Sequence, residues 1–190
     1  MLTEHPLLVF SGRANPALTE SICGYLQIEM GKVRLGNFSD GELRCQIEEN
    51  ARGADVFIVQ PTGTPPNESL MELLIMLDAF RRASPARVCV VMPYMGYARQ
   101  DRKDAPRVPI TAKLVANLLD AAGVQRVLTM DLHAGQIQGF FDLPVDNLYA
   151  IPIFALDIMT HFGDLDDVMV ISPDVGGVAR ARELAQRIKA

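Results

Sequence analysis

Three short stretches concentrate side chains suited to phosphate and divalent-cation chemistry. Tyr97-Ala98-Arg99-Gln100-Asp101-Arg102-Lys103-Asp104, with Arg107 beyond, interleaves cations and carboxylates. Asp131-Leu132-His133 sets a carboxylate and an imidazole two residues apart, and Pro173-Asp174-Val175-Gly176-Gly177 sets a carboxylate before a glycine pair. A guanidinium is a planar fork that clamps phosphate oxygens bidentately, and carboxylates hold Mg²⁺ that bridges phosphates. A Gly-Gly turn opening a helix exposes backbone N–H groups, a further anion site. The composite suggests a Mg-nucleotide or a sugar phosphate. Each stretch also has a structural reading. The first can be a solvated, salt-bridged surface in which Asp101 and Asp104 offset two cations. The second can be a capping aspartate with a bonded core histidine, and the third a turn and helix start.

The elements that must position these residues alternate between strand and helix. Leu7 to Phe10 reads as a strand, followed by a helix from about Pro16 to Leu26 with Asn15 as cap. Leu43, Cys45 and Ile47 alternate with Arg44 and Gln46, which predicts a strand hairpinned to Val33–Leu35 across Ser39-Asp40-Gly41-Glu42. Val56–Val59 is a buried strand that ends in a Pro/Gly/Thr cluster over 61–67. Leu70, Leu73, Leu74, Leu77 and Phe80 then mark one face of a helix. Val88–Met92 is the next strand, 93–109 a polar loop, and Ile110 to Leu119 a helix that Gly123 ends. Val127–Met130, a helix over 151–162, a strand at Val168–Ile171 and a last helix to Ala190 complete the chain.

This alternation predicts an α/β fold with a mostly parallel sheet flanked by helices. Ligands bind such sheets beyond the carboxyl ends of the strands, where all three polar stretches fall. Pro144 and Asn147 interrupt the pattern, which suggests one domain over 1–146 and an incomplete second, similar domain over 147–190.

Composition narrows the classes. The chain has 190 residues, 49% of them apolar and 22% charged, as expected of a globular protein. A net charge of −5 argues against general nucleic-acid or anionic-membrane binding, while leaving room for a local basic pocket. Leu70 to Phe80 is broken by Glu72 and Asp78, so no membrane span is expected. Residues 1–10 carry no targeting pattern, and the expected compartment is the cytoplasm. Cys23, Cys45 and Cys89 match neither a disulfide framework nor a zinc site and read as reduced packing residues. Phe140-Phe141 reads as core.

The run Gly96 to Asp104 and the run Asp131 to Leu148 closely resemble signatures of ribose-phosphate diphosphokinase, also called phosphoribosyl pyrophosphate synthetase. Asn37-Phe38-Ser39-Asp40-Gly41-Glu42 and Ser172-Pro173-Asp174-Val175-Gly176-Gly177 resemble two more of its motifs. The resemblance covers essentially the whole chain. It implies a type I phosphoribosyltransferase-like fold and an enzyme of nucleotide biosynthesis. That enzyme transfers the diphosphoryl group of ATP to the anomeric hydroxyl of ribose 5-phosphate, with Mg²⁺ required and inorganic phosphate activating. It also implies homo-oligomers, hexamers built from dimers.

Carried over by residue, Phe38, Asp40, Gly41 and Glu42 would surround the adenine from a neighbouring subunit, and Arg99, Gln100 and Asp104 would bind ATP. His133 would be catalytic and, with Asp131 and Asp174, metal-linked; Asp142 and Asp146 are also metal-associated in the family. The family's basic catalytic loop and ribose-phosphate grip would follow Ala190, so the chain alone is expected to hold nucleotide without turnover. The other reading is a non-catalytic associated or regulatory subunit of such an enzyme. A phosphoribosyltransferase is disfavoured because residues 1–190 lack an acidic pair followed by a Gly/Thr-rich loop.

Overall fold

The computed structural model describes residues 5–162 and 168–189. In chain order the elements are β1 (Leu7–Ser11), α1 (Pro16–Leu26), β2 (Val33–Asn37), β3 (Leu43–Ile47), β4 (Asp55–Val59), α2 (Pro66–Ala83), β5 (Arg87–Met92), α3 (Thr111–Ala122), β6 (Arg126–Met130), β7 (Val145–Leu148), α4 (Ile151–Phe162) and α5 (Val178–Ile188). The chain divides into two compact units, residues 1–147 and 148–190.

The first unit is built on a five-stranded sheet of order β1-β4-β5-β6-β7. β1, β4, β5 and β6 pair in parallel. β7 starts beside the start of β6, where the Val127 N–H donates to the Pro144 carbonyl at 3.0 Å. It reaches past the end of β6, where the Leu132 N–H donates to Asn147 Oδ1 at 3.1 Å, so it too runs parallel.

Successive side chains of a strand face opposite ways, and each face finds its own cover. Phe10, Val56, Ile58, Val88, Val90, Met92 and Val127 meet Leu73, Met76, Leu77 and Phe80 of α2 and Val115 and Leu119 of α3. Phe10 and Phe80 stack tilted, ring centres 4.6 Å apart, and both are 0% exposed. Side chains buried to this degree contribute roughly 1.5–3 kcal/mol each. On the opposite face, α1 brings Cys23 against Val9 and Val59. α1 begins where Asn15 Oδ1 accepts the Leu18 N–H at 3.2 Å, and α3 ends at Gly123, whose φ of +89° favours glycine.

β2 and β3 form a separate antiparallel hairpin, registered from Val33 opposite Ile47 to Asn37 opposite Leu43. Val33, Leu35, Cys45 and Ile47 lie on its inner face and pack on the core beside α2. The three cysteines are free thiols, and Phe141 is buried while Phe140 packs on the core. Burial pushes the Cys45 and Cys89 thiols up to about 11, which keeps them in the inert protonated form.

Two expectations about strands need correction. β7 was not expected, because Pro144 and Asn147 break the apolar pattern; its polar side chains are instead bonded to neighbours on or after β6. Residues 168–171, expected as a strand, carry none. Between Ala150 and Lys189 the described residues hold no strand for them to pair with, and a strand needs a bonded neighbour.

The amino ends of the strands carry ion pairs. Arg87 forks onto Asp55 across the first residues of β5 and β4, and Arg126 of β6 forks onto Asp146 of β7. The hydrogen bonds from these guanidinium groups hold both carboxyls below the usual range. Lowered folded values mean that the stabilisation is present above the unfolded carboxylate value of about 4, and is lost as pH falls through the folded values. The double variant Asp55→Asn/Asp146→Asn is expected to show a shallower fall of unfolding free energy between pH 5 and pH 2 than the parent. Denaturant melts across that range measure it, and the difference should shrink in high salt because the pairs are partly exposed.

Candidate functional site

The strand register brings the carboxyl ends level, with Ser11 beside Val59, Val59 beside Val91, and Met92 beside Thr129. The backbone keeps zipping past those ends. Gly12 N–H donates to the Val59 carbonyl at 3.0 Å, Gln60 N–H to Val91 at 2.9 Å, and Thr62 N–H to Tyr94 at 2.8 Å. The loop after β5 then crosses so close to that after β4 that Gly96 N–H reaches Thr62 Oγ1 at 2.7 Å. A Cβ at Gly96 would overlap the Thr62 carbonyl oxygen, so glycine is required there.

From Gly96 the loop is pinned at three points. Tyr97, at φ +62°, bonds through its hydroxyl to Asn67 at the start of α2. Gln100 accepts the Ala112 N–H on its carbonyl at 3.1 Å and the Thr111 hydroxyl on its side chain, which ties it to the first turn of α3. Asp101 Oδ2 accepts from Gln136 Nε2 at 2.6 Å. That last bond sets Arg99, Gln100 and Asp101 beside the segment leaving β6. Arg99, Gln100 and Asp104 are exposed; Asp131, at φ +46°, is half-buried and His133 exposed.

Other expected site residues lie elsewhere. Phe38, Asp40, Gly41 and Glu42 form the exposed tip between β2 and β3. There Phe38 N–H donates to Glu42 at 2.8 Å, Glu42 N–H to Asp40 Oδ1 at 3.1 Å, and Gly41 takes φ +94°. The cavity that Gly41 and Glu42 border is completed by Asn67, Glu68, Met71 and Ile75 of α2. Asp174 belongs to the second unit, where its Oδ1 accepts the Gly177 N–H at 2.8 Å. The glycine turn expected to greet an outside anion thus has one of its N–H groups taken by its own aspartate. Asp146 is occupied by Arg126 and lines a cavity with Asp55, Arg87 and Cys89, away from His133. Asp142 is exposed, and its N–H donates to Asp120. Among the described residues no three His, Cys, Asp or Glu side chains gather as a closed metal site.

A second polar cluster escaped the sequence reading. Glu72 sits on the apolar face of α2 at 4% exposure, and Gln60, just past β4, at 0%. Glu72 Oε1 accepts the Arg13 backbone N–H at 2.7 Å and Gln60 Nε2 at 3.0 Å, while its Oε2 is paired with Arg13 Nε. Gln60 also accepts the Ala14 N–H at 3.2 Å and donates to the Ser69 carbonyl at 3.2 Å. A Cβ at Gly12 would overlap the Gln60 amide. The available signal was a glutamate between Leu70 and Leu73 on an otherwise apolar helix face.

Residues 7–123 match the family model for the N-terminal domain of ribose phosphate pyrophosphokinase. The chain belongs to that family. The ribose-phosphate pyrophosphokinase of Rhizobium meliloti (strain 1021) is 61% identical over 180 residues, covering 95% of this chain and 58% of the relative. That of Thermotoga maritima is 54% identical over 189 residues, covering 99% of this chain and 60% of the relative. A crystal structure of phosphoribosylpyrophosphate synthetase from Mycobacterium smegmatis superposes with a TM-score of 0.91 at 41% identity, over 96% of this chain and 61% of that one. The chain therefore spans about three fifths of the length of the pyrophosphokinases it matches.

Removing the buried acceptor should be costly. Glu72→Ala is expected to lower stability by roughly 2–3 kcal/mol, below the full loss for a broken buried pair because Arg13 can turn to water. Urea unfolding measures it, and Glu68→Ala, an exposed neighbour on the same helix, should change stability by less than about 0.5 kcal/mol.

Proposed function

We propose that the chain forms the nucleotide-holding part of a ribose-phosphate pyrophosphokinase. In this reading the anomeric hydroxyl oxygen of ribose 5-phosphate attacks the β-phosphorus of ATP. The bond from that phosphorus to the α,β-bridging oxygen breaks, AMP leaves, and the hydroxyl proton is lost to the medium. The observation that carries the reading is the Asp101–Gln136 bond, which ties the cationic loop after β5 to the segment that leaves β6 and includes Asp131 and His133. Family membership supports the substrate.

The residues divide the work by chemistry. Arg99 offers its guanidinium to phosphate oxygens, and the anchoring of Gln100 to α3 fixes where that guanidinium starts from. Phosphoryl transfer demands position and charge neutralisation more than covalent help, so a loop pinned at three points suits it. Asp131 and His133 would hold Mg²⁺ that arrives with ATP. The Asp131 carboxylate is the oxygen donor that such an ion takes, and the His133 imidazole, a softer donor, would assist it. When bound, that ion supplies positive charge to the phosphate oxygens. Asp174, in the second unit, is metal-linked by the family resemblance alone.

The exposed Phe38, Asp40 and Glu42 suit a role toward the adenine of a neighbouring subunit in a homo-oligomer, a hexamer built from dimers. Inorganic phosphate as activator and a cytoplasmic location complete the proposal.

Calorimetry with Mg-ATP and with ribose 5-phosphate tests it. Mg-ATP should bind the tighter, and Arg99→Ala should weaken it about tenfold or more, as expected for losing a charge-assisted contact of about 1.5–3 kcal/mol. Binding of the sugar phosphate without binding of the nucleotide would overturn the assignment.

A further inference from the structure

We propose that Arg13 is a positioning residue that sets the tip of the β2–β3 hairpin, through Asn37, for its grip on the nucleotide base. The inference rests on the nucleotide reading above and adds to it a residue of a different element.

The hairpin is held in two different ways along its length. Its root is fixed by apolar packing, with Val33, Leu35, Cys45 and Ile47 on the core. Its tip has no such cover. Phe38 is 52% exposed, and Asp40, Gly41 and Glu42 are exposed. A two-stranded ribbon alone is marginally stable, so the direction of its tip must be set by something else.

A chain of hydrogen bonds does this. Buried Gln60 and the Arg13 backbone N–H fix the Glu72 carboxylate at 3.0 and 2.7 Å. The same carboxylate pairs with Arg13 Nε, so both the backbone and the side chain of Arg13 are held by one buried anion. From that seat Arg13 Nη1 donates to Asn37 Oδ1 at 2.8 Å. Asn37 ends β2, and its Nδ2 donates to the Gly41 carbonyl at 2.9 Å, closing the turn that carries Phe38, Asp40 and Glu42. Both ends of one amide are engaged, one toward the sheet edge and one toward the tip.

Exposed hydrogen bonds are usually weak because two mobile side chains must be ordered to make them. Here the guanidinium is already ordered by Glu72 before Asn37 arrives, so little further freedom is lost. The fork geometry is needed: one nitrogen faces Glu72 while another faces Asn37, and a lysine ammonium on a flexible stem cannot reproduce that arrangement.

The test compares the parent chain with Arg13→Lys, Asn37→Ala and the double variant. Arg13→Lys keeps a cation for Glu72, and Asn37→Ala leaves the Glu72 seat untouched, so neither strands a buried charge. Three readouts are taken: affinity for Mg-ATP, affinity for Mg-tripolyphosphate, and hydrogen exchange at the Phe38, Gly41 and Glu42 amides. We expect each single variant to bind Mg-ATP about tenfold more weakly, to bind tripolyphosphate within twofold of the parent, and to exchange faster at the tip. The double variant should be no weaker than either single one, because both cut the same path. A parallel loss for ATP and tripolyphosphate would mark a general structural effect and overturn the proposal, as would unchanged ATP affinity and exchange in both variants. If the parent itself bound no Mg-ATP, the nucleotide reading would fail. Exchange at the tip would then still decide whether Arg13 and Asn37 set it.

Discussion

A carboxylate on the apolar face of a helix must be bonded on all sides before that helix can dock, and at Glu72 this demand organises the sheet edge where the connections begin. The donors come from three places: the backbone after β1, the side chain of Arg13 and the amide of Gln60 after β4. Satisfying one anion therefore fixes the starts of two loops against α2. Gly12 then has to lack a side chain so that Gln60 can lie over it, and the Gln60 amide goes on to hold Ala14 and Ser69. The loop after β5 inherits this order through Thr62, whose hydroxyl and backbone meet Gly96 and Tyr94.

The two ends of the sheet solve the same problem differently. At the amino ends, side chains of neighbouring strands pair directly, Asp55 with Arg87 and Asp146 with Arg126, each bidentate and partly in water. Such pairs satisfy strand termini without needing depth, and they leave little for a ligand to bind. At the carboxyl ends the polar groups are spread over loops and tied by single bonds such as Asp101 to Gln136 and Gln100 to Thr111. Backbone and side chains there are placed, but the cations of the loop still face solvent. That difference, more than any one residue type, separates the amino ends from the carboxyl ends, where the proposed nucleotide site lies.

Much of this was legible locally. The alternation at 43–47, the turn at 39–42 and the stop at Gly123 each rest on a pattern a few residues long, and each is realised in the structure. What was not legible depends on partners distant in the chain. Glu72 meets Arg13 across 59 residues, and Arg126 meets Asp146 across 20. Nothing near Glu72 or Asp146 announces either match. Residues 168–171 have a strand's composition, yet pattern alone cannot supply the neighbour a strand requires. At Asp174 the structural reading and the functional one competed for the same Gly177 N–H, and the helix start has it. The convergence of the loop after β5 with the segment after β6 was foreseen from topology. The bond that secures it, between Asp101 and Gln136, was not.

A buried ion pair is a poor way to add stability, since well-packed apolar side chains at the same place commonly do as well or better. Leucines at 13 and 72 could not do what the present residues do, however. An apolar pair ends at its own surface, whereas a guanidinium seated on a buried carboxylate still has nitrogens to give outward. Arg13 uses one of them to reach Asn37, 24 residues away and on a different sheet. The charge thus links a rigid part of the molecule to an exposed turn without covering that turn. Apolar packing could fix the same tip only by burying Phe38 or its neighbours, which would remove from solvent the side chains proposed to meet the nucleotide base. Holding an exposed loop in place while leaving it exposed calls for a polar tether with a buried anchor, and that is the arrangement at this end of the sheet.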